Sequence, residues 1–271
     1  MSGAPVTGRL GGKIAIVSGA GQAPGETIGN GKAIAILFAR AGAQVLCVDR
    51  DQARGQLTVE AITAEGGAAT LCVADVSSAE GAATIIAACD AAFGPPDILV
   101  NNVGIGDAGD GPAHKASEEA FDRTLRINLK SAWLLTKAVM PGMLTRQRGV
   151  IVNISSLASI AGGHQLAYEI SKAGMNRLTQ SAAVAGASCG VRVNAVTPGL
   201  MDTPMAIGGI ARMRGIPEEE LRAERAARVP MRFMGTGWDT AHAALFLASD
   251  EARFITGAIL PVDGGASARI G

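Results

Sequence analysis

Lys13–Ser18 (KIAIVS) is apolar almost without interruption, and the chain returns to such runs along its whole length. They recur at Gln44–Val48 (QVLCV), Ala69–Ala74, Asp97–Asn101 (DILVN), Gly149–Ser155 (GVIVNIS), Val191–Val196 and Ala258–Val262. A strand with one face in water alternates apolar and polar residues, whereas a strand covered on both faces has no need to. Between the runs lie stretches with helical patterning: Gly31–Ala41 (GKAIAILFARA), Asp51–Glu65, Ala79–Phe93, Ser117–Gln147 and Gln165–Ala187. Strand and helix alternating in this way predict an α/β fold, a doubly wound parallel sheet of about seven strands with helices on both faces and right-handed crossovers. No repeat, low-complexity linker or break in composition divides the chain. One domain is therefore expected over residues 10–271, behind a flexible tail at residues 1–9. The tail sequence lacks a basic segment followed by an apolar stretch, so it does not read as a signal peptide.

The first strand runs into SGAGQAPGETIGNGKAIA, Ser18 to Ala35. A glycine-rich turn after a strand and before a helix is the setting in which a backbone approaches a pyrophosphate and a helix N-terminus attracts its charge. The second run ends in Asp49, where a carboxylate accepts hydrogen bonds from both adenosine ribose hydroxyls and repels a 2′-phosphate. Together the two features predict a Rossmann-type site that prefers NAD. An ordinary βα turn and a helix-capping Asp are the plainer readings of each feature alone, and Arg50 beside Asp49 leaves room for NADP.

Charge and cysteine usage exclude several other classes. Lys plus Arg and Asp plus Glu both number 24, so nothing points to nucleic acid or an anionic membrane as partner. No apolar run is long enough to span a bilayer. Cys47, Cys72, Cys89 and Cys189 are scattered without a CxxC pair, as expected of reduced thiols in a cytoplasmic protein. His114, His164 and His242 are too dispersed to form a metal cluster, and no metal is expected. The single tyrosine, Tyr168, stands four residues before Lys172 in YEISK. That spacing puts both side chains on one helix face.

In order along the chain, these segments resemble the classical short-chain dehydrogenase/reductase family. GNGKAIA (Gly29–Ala35) resembles the end of its glycine motif, which gives Gly19, Gly29 and Gly31 as phosphate-loop glycines, with Gly21 and Gly25 as competitors. ADVSS (Ala74–Ser78) resembles the adenine-contacting segment, here Asp75 and Val76. NNVG (Asn101–Gly104) resembles its NNAG motif and gives Asn102 and Gly104. RINLKSAWLL supplies Asn128, VNISSLAS the catalytic serine, and YEISK the YxxxK pair. VNAVTPGLMDT resembles the PG motif, giving Pro198, Gly199 and Thr203, and FITGAILPVDGGAS resembles the C-terminal signature. Three departures stand out. The glycine loop is longer by the stretch from Gln22 to Thr27 and carries Glu26, which is expected to point away from the cofactor. Asn30 replaces the usual aliphatic residue between the last two glycines, where its backbone N–H still reaches phosphate. Ser155 meets the family's usual spacing to Tyr168, whereas Ser156 better matches the second serine of ISS and is the preferred choice.

What the resemblance implies is chemically coherent. Removing a hydride from a secondary alcohol requires loss of the hydroxyl proton. A free phenol, with a pKa of about 10, is a poor base at neutral pH. Lys172 and the oxidised nicotinamide are expected to lower the pKa of Tyr168. Lys172 would also hold the nicotinamide ribose, Ser156 would orient the substrate oxygen, and Asn128 would hold a water near Lys172.

The substrate side is less determined. The segment 204–234 lies where the family carries its substrate lid. It contains Met205, Ile207, Ile210 and Met213, which either line the pocket or pack against neighbouring helices. Ser156, Leu157, Ala158, His164, Leu166, Gly199, Leu200 and Met201 flank the catalytic positions, and Arg212 and Arg214 are read as solvent-facing. The expected substrate is an uncharged, mainly apolar secondary alcohol or ketone. The resemblance also implies a homotetramer built on two central helices and the last strand. Two alternatives stand: an NADP-dependent 3-oxoacyl reductase of the same family, and an NAD-sensing protein without turnover.

Overall fold

The computed structural model describes residues 8–162 and 164–269. The apolar runs become β1 (Ile14–Ser18), β2 (Gln44–Asp49), β3 (Ala68–Val73), β4 (Ile98–Asn101), β5 (Gly149–Ile154) and β6 (Val191–Pro198). A two-residue ladder follows, β7 (Met201–Asp202) with β8 (Gly235–Thr236), and then β9 (Ile259–Val262). Seven strands form one parallel sheet in the order β3-β2-β1-β4-β5-β6-β9. Successive side chains of a strand point to opposite faces. In β1, Ala15 and Val17 enter one core and Ile16 the other. Both faces are covered, which is why the run shows no polar alternation. The chain winds outward in one direction from β1 and in the other from β4, so a crevice opens where these neighbours' carboxyl ends diverge.

The helices are α1 (Asn30–Arg40), α2 (Gln52–Ala64), α3 (Ala79–Ala92), α4 (Glu118–Leu125), α5 (Ser131–Thr145), α6 (Leu166–Ala187), α7 (Gly208–Arg214), α8 (Glu218–Arg228) and α9 (Gly237–Ala248). A π-helical turn at Arg126–Lys130 joins α4 to α5. α9 lies outside the sequence expectation. It fills the sheet face beside α1, where Ala241, Ala244 and Leu245 join Ile34 and Phe38 in one core, and it starts with a Thr236–Asp239 capping box. The lid segment folds into α7 and α8 around a small core of Ile207, Ala211 and Leu221.

The tail expected at residues 1–9 is tied down at its end. Arg9 forms an ion pair with Glu251 at 2.6 Å, and Leu10 is buried. Residues 1–7 lie outside the described residues. No helix among the described residues is long and apolar enough to cross a membrane.

Candidate active site

The glycine turn is shaped by two positions that tolerate no side chain. Gly19 sits at φ 66°, in the left-handed region that favours glycine. A Cβ on Gly31 would lie 1.9 Å from the Gly19 carbonyl oxygen. Asn102 pins the same turn from the end of β4: its amide nitrogen donates to the Ser18 and Gly19 carbonyls at 3.3 and 3.0 Å. No side chain caps α1 at Gly29, and its first turn holds no acidic residue, so its positive end is available to an anion. The longer loop is closed by Gln22, whose amide accepts from Gly29 N at 2.9 Å and donates to the Thr27 carbonyl at 3.3 Å. Glu26 is exposed and does not line the cleft.

At the β2 end, Asp49 spans two backbone donors, Gly21 N at 2.9 Å and Asp51 N at 3.0 Å. Arg50 and Arg54 line the same part of the cleft, and Arg54 pairs with Asp51 at 3.1 Å. Asp75 accepts from Ser77 N at 2.9 Å, and that bond above all holds its carboxyl below the usual range.

At the other end stand Tyr168 and Lys172 on α6. The Tyr168 hydroxyl is hydrogen bonded to Ser156. Ser155 is turned away, its hydroxyl donating to the Lys172 carbonyl at 3.1 Å. This geometry puts Ser156, rather than Ser155, at the phenol. Lys172 is 3% exposed, donates from Nζ to the Ile154 carbonyl at 2.9 Å, and has Nζ 5.7 Å from the Tyr168 ring centre. Burial lowers its pKa to about 8. Burial also raises Tyr168, with the Ser156 hydrogen bond opposing. In the chain alone, burial is the larger influence on the phenol and the Ser156 hydrogen bond the opposing one.

Asn128 is fully buried within the π-helical turn, a feature that often marks functional sites. Its Oδ1 accepts from Ile105 N at 2.8 Å, while Nδ2 donates to the Ile105 carbonyl at 3.0 Å and to Ser171 Oγ at 3.1 Å. The side chain thus ties the π-helical turn to the loop after β4 and to Ser171, the residue preceding Lys172.

Tyr168 and Lys172 border one cleft with the glycine turn and Asp49, about 420 Å³ and within the range of small-molecule and cofactor sites; Ser155 lines it, whereas Ser156 and Asn128 stand behind the lining. It brings together Gly19, Gly29, Asn30, Gly31, Asp49, Asp75, Val76, Asn102, Gly104, Tyr168, Lys172, Thr203 and Met205. Pro198 and Gly199, expected at the cofactor, do not line it; Gly199 N donates to the Val262 carbonyl at 3.0 Å and continues the sheet. Of the expected substrate residues, Ser156, Leu157, Ala158, His164 and Leu200 also lie outside the lining, and Met205 is within it. Leu157 and Ala158 form a short 3₁₀ turn, and His164 is exposed. Gln22, Arg54, Ile105 and Arg126 line the cleft without having been anticipated. For Arg54 a signal existed, since it follows the helix-capping Asp51 by three residues and that spacing pairs them. Among the described residues, no group of three or more His, Cys, Asp or Glu is placed to hold a metal ion.

Known proteins are similar to this chain over nearly its whole length. A family model described as enoyl-(acyl carrier protein) reductase matches residues 25–267. An uncharacterized oxidoreductase of Thermotoga maritima is 40% identical over 95% of this chain and 98% of its own. The 2-(R)-hydroxypropyl-CoM dehydrogenase of Xanthobacter autotrophicus is 37% identical over 94% of this chain and 99% of its own. A crystal structure from Burkholderia xenovorans, named for the short-chain dehydrogenase/reductase family, superposes with a TM-score of 0.89 at 45% identity, covering 97% of this chain and 100% of that one.

Proposed function

The chain belongs to the short-chain dehydrogenase/reductase family, nicotinamide-dependent oxidoreductases that act on alcohols, and from that premise we propose that it interconverts a secondary alcohol and its ketone with NAD. The observation that carries the reading is the placing of Tyr168, with Ser156 as its hydrogen-bond partner, and Lys172 at one end of a cleft whose other end is closed by Asp49.

The residues present fit a dinucleotide. The close approach of Gly31 to Gly19 leaves the turn without side chains, and the uncapped start of α1 suits a pyrophosphate. Asp49 supports NAD over NADP, because a 2′-phosphate would meet its carboxylate and because Arg54 is engaged by Asp51. Bound at this cleft, a nicotinamide supplies the acceptor for the carbinol hydride. The chain supplies the rest. Tyr168 takes the hydroxyl proton, and Ser156 holds the substrate oxygen in line with the phenol. Lys172, fixed through one N–H to the Ile154 carbonyl, lines the cleft and would hold the nicotinamide ribose with its other donors. With a pKa of about 8 it is close to proton exchange at neutral pH. Asn128 holds Ile105 and Ser171 on either side of this centre. Since burial raises the phenol, a positively charged cofactor bound beside Tyr168 would favour its phenolate.

An uncharged, mainly apolar substrate is supported by Ile105, Ile127, Pro204 and Met205 along the cleft. The lid cations Arg214 and Arg222 are paired with Glu224 and Asp202. The Xanthobacter relative's name specifies a 2-hydroxypropyl group, a secondary alcohol, carried on CoM; it supports the alcohol and not the absence of charge. Assembly as a homotetramer fits the exposed Trp133 on α5, Ile170 and Val184 on α6, and Phe254 before β9. Light scattering on the purified protein checks that assembly.

Reduced-nicotinamide formation tests the reading, measured with NAD and NADP in parallel across a panel of secondary alcohols. Turnover with NAD preferred is expected. Preference for NADP would reverse the reading of Asp49, and a strict need for a charged alcohol would reverse that of the pocket.

A further inference from the structure

α6 is the longest helix among the described residues, with 22 residues, and it starts without a cap of its own. Gln165 makes no side-chain cap hydrogen bond. The first backbone N–H groups of any helix lack partners within it. Here they are met from a distance by one dipeptide in the loop between β4 and α4. Leu166 N donates to the Gly111 carbonyl at 3.1 Å. Ala167 N donates to Asp110 Oδ1 at 3.0 Å and Tyr168 N to Asp110 Oδ2 at 2.9 Å. Asp110 Oδ1 also accepts from Gly111 N at 2.8 Å, which fixes the carboxylate plane.

The loop that carries Asp110 is itself fastened at two points ahead of it. Asn128 grips Ile105 at the cleft, and Asp107 pairs with Arg123 of α4 at 2.6 Å. It therefore runs as a strap from the cofactor side of the cleft to the backbone of Tyr168. We propose that Asp110 is a positioning residue for the reaction, capping α6 from outside so as to set the placement of the Tyr168 side chain and the charge around its phenol. The inference rests on the reading of Tyr168 as acid and base. Other charged groups at this helix start are Lys172 one turn on, Glu169, which accepts from His164 N and Gln165 N at 3.1 Å, and the Asp107–Arg123 pair. Among them, Asp110 is the carboxylate bonded to the Tyr168 N–H.

The chain's single tyrosine makes the test direct. Phenolate absorbance in the near ultraviolet titrates Tyr168 alone, in the full chain saturated with NAD and without any alcohol present. Asp110→Asn keeps an oxygen acceptor for the helix but removes the charge. It is expected to lower the midpoint by about half a unit, about threefold in the acid constant, with NAD affinity close to that of the parent. Asp110→Ala removes charge and acceptors and is expected to lower the midpoint and broaden the titration. Midpoints equal to the parent in both variants overturn the proposal. Loss of NAD binding and folding in Asp110→Asn as well as Asp110→Ala also overturns it, since Asp110 would then serve the fold alone. A failure of the acid/base reading is separable, because it shows as a Tyr168→Phe protein that still turns over.

Discussion

The two walls of the cleft are built by different means. On one side, strand ends, the glycine turn and α6 are locked by buried and part-buried hydrogen bonds: Asn102 to Gly19, Asn128 to Ile105, Lys172 to Ile154. On the other, α7 and α8 rest on a core of Ile207, Ala211 and Leu221 and on exposed ion pairs such as Arg214–Glu224. Exposed pairs contribute about 0–1 kcal/mol each, so the lid is the less stable wall. The difference teaches a division of labour. Groups that do chemistry must be preorganised to fractions of an ångström, whereas a wall that admits and releases substrate gains from a lower opening cost.

That contrast can be broken at several points. The largest effect is expected at Lys172. Lys172→Met should reduce kcat by about 10²–10⁴-fold. The same variant should be the more stable protein at neutral pH without cofactor, by roughly 3 kcal/mol, because a buried ammonium carries a desolvation cost. The sign follows from its lowered pKa of about 8. Below that value the lysine is charged in both folded and unfolded chains and the cost is complete. As pH rises from about 8 towards the unfolded value of about 10.4, the folded lysine loses its proton first and the parent's stability catches up with the variant's. Denaturant midpoints of both proteins across that window check it.

Next comes Gly31→Ala. Its methyl would strike the Gly19 carbonyl, so the turn must shift at a cost of about 1–3 kcal/mol. NAD affinity by calorimetry should fall about tenfold or more. Asp49→Ser should raise kcat/KM with NADP by about tenfold, because removing the carboxylate removes the repulsion. On the opposite wall effects should be smaller. Met205→Ala should alter the alcohol KM by about two- to fivefold with NAD affinity unchanged, since Met205 is 58% exposed at the rim. If Met205→Ala instead weakened NAD binding as much as Gly31→Ala did, the two walls would not be separate in function.

The same division explains what the sequence discloses. Buried parallel strands announce themselves because both their faces are apolar, and Tyr168 with Lys172 because a spacing of four is local. α8 is hidden by its own composition: EEELRAERAAR buries only Leu221, too little to mark a face. α9 follows the lid and the two-residue β8, not a strand of the main sheet, so the alternation of apolar strand and helix does not point to it. Asp110 is separated by 57 residues from the Ala167 N–H it caps, and no local pattern reports such a contact. Pro198 and Gly199 belong to a motif whose position is fixed by the sheet, which is why they sit beside the cleft without lining it. The direction of the Tyr168 shift depends on burial, which spacing alone does not disclose.

The central claim is that the Tyr168 phenol moves the proton in an NAD-dependent alcohol oxidation. The most direct measurement pairs reduced-nicotinamide formation with NAD binding in the parent and in Tyr168→Phe. The account predicts turnover in the parent, a loss of about 10²–10⁴-fold in the variant, and NAD affinity within about twofold between them. Turnover in Tyr168→Phe close to that of the parent would contradict it.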